Sequence, residues 1–138
     1  MVDLTKKPFY LNDEQIAWVE NTIAGMTEEE KIKQLFIHLT GAGDDEAAVR
    51  EEATTMKMGG IRFNPRSAKE MWNMNRLFQT YSKIPVLSAV NVEAGGNGAS
   101  SNGTNVGQEI KVAATGDPVY AYKLGQICGR ETKATGSN

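Results

Sequence analysis

The stretch PVLSAVNVEAGGNG, Pro85 to Gly98, decides the fold. A proline opens it, and Val86 to Val90 form a short apolar run of strand length, which reads as a strand buried on both faces. The run ends abruptly in Asn91, Glu93 and the pair Gly95 and Gly96. In α/β folds the C-terminal ends of buried parallel strands carry ligand contacts. The strand fixes the backbone there, polar side chains leave the core, and glycine lets main chain pass close to a ligand.

Working outward, Gly59 to Phe63 (GGIRF) reads as a second short strand, entered through a glycine turn and ended by Asn64 and Pro65. Between the two strands, Ser67 to Tyr81 has Ala68, Met71, Trp72, Asn75 and Phe78 in helical register, with Met74 and Leu77 beside them. Met and aromatic residues at that spacing are read as core packing. Residues 97 to 108 are rich in glycine, serine and asparagine, a long loop of the functional or disordered kind. After a weak apolar segment (Ile110 to Ala113), Asp117 and Pro118 give a cap followed by proline at the first helical position. Val119, Tyr122, Leu124, Ile127 and Cys128 fill the helix that follows, and Gly136 ends it.

Toward the N-terminus, Met1 to Leu11 read as an irregular lead-in. Asn12 with Gln15, and Thr27 with Glu30, have the spacing of two capping boxes, each opening a helix. Leu35 to Thr40 (LFIHLT) can end the second helix or open a strand. Gly41 and Gly43 lack the third glycine of a dinucleotide fingerprint, since position 46 is Glu46. Asp44 to Thr54 read as a polar helix whose acidic cluster is a solvated face rather than a metal site. Strands alternating with helices predict an α/β fold with a parallel sheet.

At this point the order of motifs resembles the N-terminal part of the barrel domain of glycoside hydrolase family 3, the family of β-glucosidase- and β-N-acetylhexosaminidase-like enzymes. Met26 to Phe36 (MTEEEKIKQLF) is similar to the opening helix of that domain, GGIRF to its first well-marked strand, and Pro85 to Gly96 to the strand that delivers a sugar-binding acid followed by Glu-Gly-Gly. Ala113 to Gly136 (AATGDPVYAYKLGQICGRETKATG) is similar to the helix preceding an Asn-Trp-type strand, and is the most specific piece. The resemblance implies the N-terminal portion of a (β/α)8 TIM-type barrel over residues 12–138, incomplete in this chain. A complete barrel takes about 250 residues, and the chain has 138.

The resemblance implies an enzyme that cleaves O-glycosidic bonds of β-linked sugars with retention. Asn91 stands where many members have an aspartate that binds sugar hydroxyls, and Glu93 matches the glutamate of the motif. Asn91 and Glu93 are therefore the expected substrate-binding residues. An asparagine keeps hydrogen bonding but loses the charge-assisted bonds of a carboxylate. Ala94 replaces the first glycine of the family pattern. The family's nucleophile falls on a later strand, its acid/base, where it is a histidine on a loop, also comes later, and His38 matches no such loop, so no catalytic residue is expected among these 138 and the isolated chain is expected to be inactive.

Composition sets the remaining bounds. A formal charge of -2 gives no electrostatic case for nucleic acid or anionic membrane. No run approaches the roughly 20 apolar residues of a membrane span. The single cysteine, Cys128, fits a reducing compartment, and MVDLTKKPFYLND holds no signal-peptide core, so a cytoplasmic location is expected. On the same ground the acceptor pattern Asn102-Gly103-Thr104 is read as chance. Neither a cofactor nor a metal is expected; the expected partner is a carbohydrate. An alternative of another class is a non-catalytic partial-barrel module that binds sugar or self-associates through its incomplete sheet. A flavodoxin-like domain would need a phosphate loop, and the Gly95 to Gly107 loop has no lysine and no helix immediately after it.

Overall fold

Three short parallel strands carry the architecture of the computed structural model, which describes residues 2–138. Backbone contacts divide the chain into Met1–Ile32 and Lys33–Asn138. In the first unit, helix α1 (Asp13–Ala24) opens on the expected box: Gln15 N donates to Asn12 Oδ1 at 2.9 Å, and Asn12 N donates to Gln15 Oε1 at 3.0 Å. Helix α2 (Glu28–Lys33) opens the same way, with Glu30 N on Thr27 Oγ1 at 3.2 Å and Thr27 N on Glu30 Oε2 at 3.0 Å. These boxes satisfy amide donors that no helical carbonyl can reach.

In the second unit the ambiguous LFIHLT run resolves into strand β1 (Ile37–Leu39). Helix α3 (Glu46–Met56) leads to β2 (Gly60–Arg62), and helix α4 (Ala68–Tyr81) to β3 (Leu87–Ala89). The sheet order is β1-β2-β3, parallel throughout. A 3₁₀ turn (Gly96–Gly98), a short helix α5 (Glu109–Ala113) and the long helix α6 (Val119–Ala134) complete the chain. Asp117 Oδ1 accepts from Val119 N at 2.9 Å, so the cap acts one residue beyond Pro118. At the other end Gly136 has a φ of +83°, and the bonds from Gly136 N to Lys133 O and Ser137 N to Thr132 O close a Schellman turn.

Register separates the two faces of the sheet. His38, Ile61 and Ser88 lie side by side on the face that α3 and α4 cover, where Ile61 is 2% and Ser88 1% exposed. Ile61 joins Phe63, Val49, Ala53, Met71, Met74, Leu77, Phe78 and Val86 in one core. The methionine and aromatic register of α4 is thus packing, as expected, although Trp72 stays outside it. Ile37, Gly60 and Leu87 share the opposite face, followed by Leu39, Arg62 and Ala89. That face is open: Leu87 is 63% exposed. Strand β3 is therefore buried on one face and not on both, because among the described residues nothing packs over its second side.

One buried polar cluster ties α4, β3 and the end of α6 together. Ser88 Oγ donates to Asn75 Oδ1 at 2.7 Å, and Asn75 Nδ2 donates to Thr135 O at 2.8 Å. Ser137 lies 3.1 Å from Ser88 through their hydroxyls. Alongside, the carboxamide of Asn138 accepts from Ser88 N at 2.9 Å and donates to Val86 O at 3.5 Å, on the free edge of β3.

Candidate functional site

Parallel strands end on one rim, and β2 and β3 bring Arg62 and Asn91 together there. Arg62 closes β2 and is half-buried; Asn91 follows β3 and is exposed. The Arg62 Nε donates to Asn91 Oδ1 at 3.4 Å. Among the described residues no carboxylate forms an ion pair with this guanidinium. The sequence reading placed Asn91 at a strand end but missed Arg62. A cation inside the apolar run GGIRF, directly before the turn residues Asn64 and Pro65, was the available signal.

The chain after β3 turns sharply because Gly95 and Gly98 allow it. Gly95 has a φ of +129°, in the region that favours glycine. A Cβ on Gly98 would lie 1.4 Å from the Asn91 carbonyl oxygen, so the main chain folds back directly over the candidate sugar contact. The rest of the loop is well bonded rather than loose. Val106 N and Gly107 N both donate to Ala94 O, at 2.8 and 3.2 Å, and Ser101 N donates to Arg66 O at 2.6 Å. Asn102 Oδ1 accepts from Ala68 N at 2.9 Å, at the start of α4. Glu131, from α6, braces the loop: Thr104 N donates to its Oε2 at 2.7 Å and the Thr104 hydroxyl to its Oε1.

Glu93, the second expected contact, is exposed and lies elsewhere. It borders an open groove of about 860 Å³ between the segment after β3 and helices α5 and α6. Val90, Val92, Val112, Leu124 and Cys128 make the apolar part of that groove, and Glu109 and Asp117 share its acidic rim with Glu93. Asn91 does not line it. Cys128 Sγ donates to Val92 O at 3.1 Å, and burial pushes the thiol above its ordinary pKa, so it is a neutral packing group at pH 7. His38 sits apart from both places, with Nε2 3.5 Å from Glu52 Oε2 under α3.

Among the described residues no group of three or more His, Cys, Asp and Glu gathers to hold a metal ion, and no helix is long and apolar enough to cross a membrane. What the rim offers is donors: the two Nη groups of Arg62 and the Nδ2 of Asn91, beside a tightly folded glycine loop. Such a set binds oxygen-rich ligands such as sugars and anions.

Comparison with known proteins gives the same direction. Residues 27–138 match the family described as "Glycosyl hydrolase family 3 N terminal domain". The whole chain is 33% identical over 138 residues to a "Beta-N-acetylglucosaminidase/beta-glucosidase" from Cellulomonas fimi, covering 24% of that protein. Among solved structures it is similar to "Beta-glucoside phosphorylase BglX bound to 2FGlc", with 36% identity and a TM-score of 0.83 over 98% of this chain and 24% of that one. The structure titled "Beta-glucoside phosphorylase BglX" gives 35% identity and a TM-score of 0.80, over 98% and 23%. The chain thus spans about a quarter of the length of these relatives.

Proposed function

The chain belongs to glycosyl hydrolase family 3, its three-stranded sheet matching the N-terminal part of that barrel domain, and from that premise we propose that it is the sugar-binding rim of an enzyme acting on β-linked glycosides. The carrying observation is Asn91, held by Arg62 at the C-terminal ends of two parallel strands. In this reading Asn91 contacts hydroxyls of the sugar beside the scissile bond, while Glu93, on the neighbouring groove, is separate from that contact. The rest of the reaction follows the retaining scheme, in which an aspartate attacks the anomeric carbon and a second group, roughly 5 Å away, protonates the leaving oxygen. Those groups belong to parts of the barrel other than the three strands of this sheet. The isolated 138-residue chain therefore binds sugar but does not turn it over.

Two measurements test this. The purified chain is expected to leave an aryl β-glucoside intact, and robust turnover would overturn the assignment of the chemistry to other strands. Titration with methyl β-glucoside, followed by backbone amide NMR, is expected to move resonances of residues 91–98. No shift there, with shifts elsewhere or none, would remove Asn91 from the site. The relatives' names include both a glucosidase and a phosphorylase, so the group that receives the sugar is water or phosphate.

A further inference from the structure

We propose that His38, Glu52, Met56 and Met58 form a binding site for monovalent copper under α3, on the helix-covered face of the sheet. The inference is independent of the sugar-site reading. It starts from Glu52. Asp44, Asp45, Glu46 and Glu51 of the same acidic stretch are exposed, whereas Glu52 is half-buried. Its Oε2 is buried and, among the described residues, has no hydrogen-bond partner. A carboxylate oxygen withdrawn from water requires compensation. The group that faces it is His38 Nε2 at 3.5 Å, longer than a good hydrogen bond. With metal–ligand bonds of about 2.0–2.2 Å, neighbouring ligands of a tetrahedral ion stand about 3.3–3.6 Å apart. The imidazole and the carboxylate thus have the spacing of two ligands on one ion.

Two thioethers complete the set. Met56 and Met58 line, with His38 and Glu52, a cavity of about 10 Å³, room for one particle the size of a water molecule. The chain places each of them for a reason. His38 is the middle residue of β1. Glu52 and Met56 are one helical turn apart on α3 and share a face. Met58 comes back to that face because Lys57, at the helix end, has a φ of +52°, a left-handed conformation that reverses the chain. Gln34 Nε2 holds this turn by donating to Lys57 O at 2.8 Å. Thioether sulfur with imidazole selects monovalent copper, whereas calcium and magnesium take oxygen ligands and structural zinc takes thiolates and several imidazoles. One carboxylate balances the single charge of the ion. Ile61, Phe78 and Val86 wall the cavity with apolar surface, which limits competition from water. An ion held there ties β1, α3 and the entry to β2 together, and stabilises the folded chain by mass action.

The test is anaerobic titration of the 138-residue chain with copper(I) kept reduced by ascorbate, and in separate arms with silver(I), its redox-inert mimic, and zinc(II). Methionine methyl and histidine ring NMR signals are the readout, with thermal unfolding beside them. One equivalent of copper(I) or silver(I) is expected to move the Met56, Met58 and His38 signals together, to leave the core residues Met71 and Met74 in place, and to raise the unfolding temperature. Replacing both Met56→Leu and Met58→Leu keeps the packing volume and removes the sulfurs. This variant is expected to bind about tenfold more weakly or worse. Glu52→Gln, which keeps the shape and removes the charge, is expected to lose about as much, and it carries the test if the leucine pair disturbs the fold. Cys128 is the other soft ligand of the chain, so Cys128→Ser is titrated in parallel and is expected to bind as the wild type does. Loss of binding in Cys128→Ser, unchanged binding in the leucine pair or in Glu52→Gln, or shifts at methionines other than 56 and 58, overturns the site. Tighter binding of zinc(II) than of copper(I) overturns copper as its ligand.

Discussion

Asn75 uses both ends of its carboxamide inside the core, accepting from Ser88 and donating to the Thr135 carbonyl. Replacing it with alanine removes the partner of the buried Thr135 carbonyl, costly to leave unpaired, and leaves the Ser88 hydroxyl only its bond to Ser137. Asn75→Ala is expected to lose about 2–3 kcal/mol, read as a lower urea midpoint at unchanged slope. A loss below a few tenths would mean water replaces the amide. From sequence, Asn75 was legible only as a position in the helical register of α4. Its partner Thr135 lies 60 residues away, and no local pattern encodes such a pairing. The same limit explains the site. Asn91 announced itself by breaking an apolar run, whereas the role of Arg62 depends on a residue 29 positions along the chain.

Helix boundaries were the most legible elements because caps are local chemistry, and the boxes at Asn12 and Thr27 form as read. A third box opens α4, where the Glu70 carboxylate accepts from Ser67 N and from the Ser67 hydroxyl. Those bonds, the hydroxyl's first, hold the Glu70 carboxyl below its ordinary pKa. The stabilisation is therefore fully present above the ordinary glutamate range and is lost as pH falls through the lowered folded value. Glu70→Gln keeps the box without the titrating charge. The stability difference between wild type and Glu70→Gln is expected to be flat at neutral pH and to shift against the wild type in acid; a difference independent of pH would show that Glu70 is not linked to folding. The glycine-rich segment was less legible. Its composition suggests a loose loop, but the Glu131 carboxylate that fixes it arrives from α6, outside any window that reads the loop alone.

At the scale of the sheet-bearing unit, the order of strands and helices was readable from periodicity, while the fate of the second sheet face was not. Strand composition says that Leu87 is apolar; only the packing says that it, with Ile37 and Leu39, faces outward. Exposed apolar area of this kind drives association, and a net charge of only -2 gives little repulsion to oppose it. We expect a second copy to cover this face. Sedimentation at rising concentration is expected to show dimers or larger species, and Leu87→Lys to shift the distribution toward monomer. A wild-type chain that stays monomeric at high concentration would remove the face as a contact. The neighbouring edge of β3 has a different character. The Asn138 side chain gives Ser88 N and Val86 O what a passing peptide group would give them. The carboxamide stands in for one peptide unit of a neighbouring strand, and any strand that adds beside β3 takes over these two bonds from it.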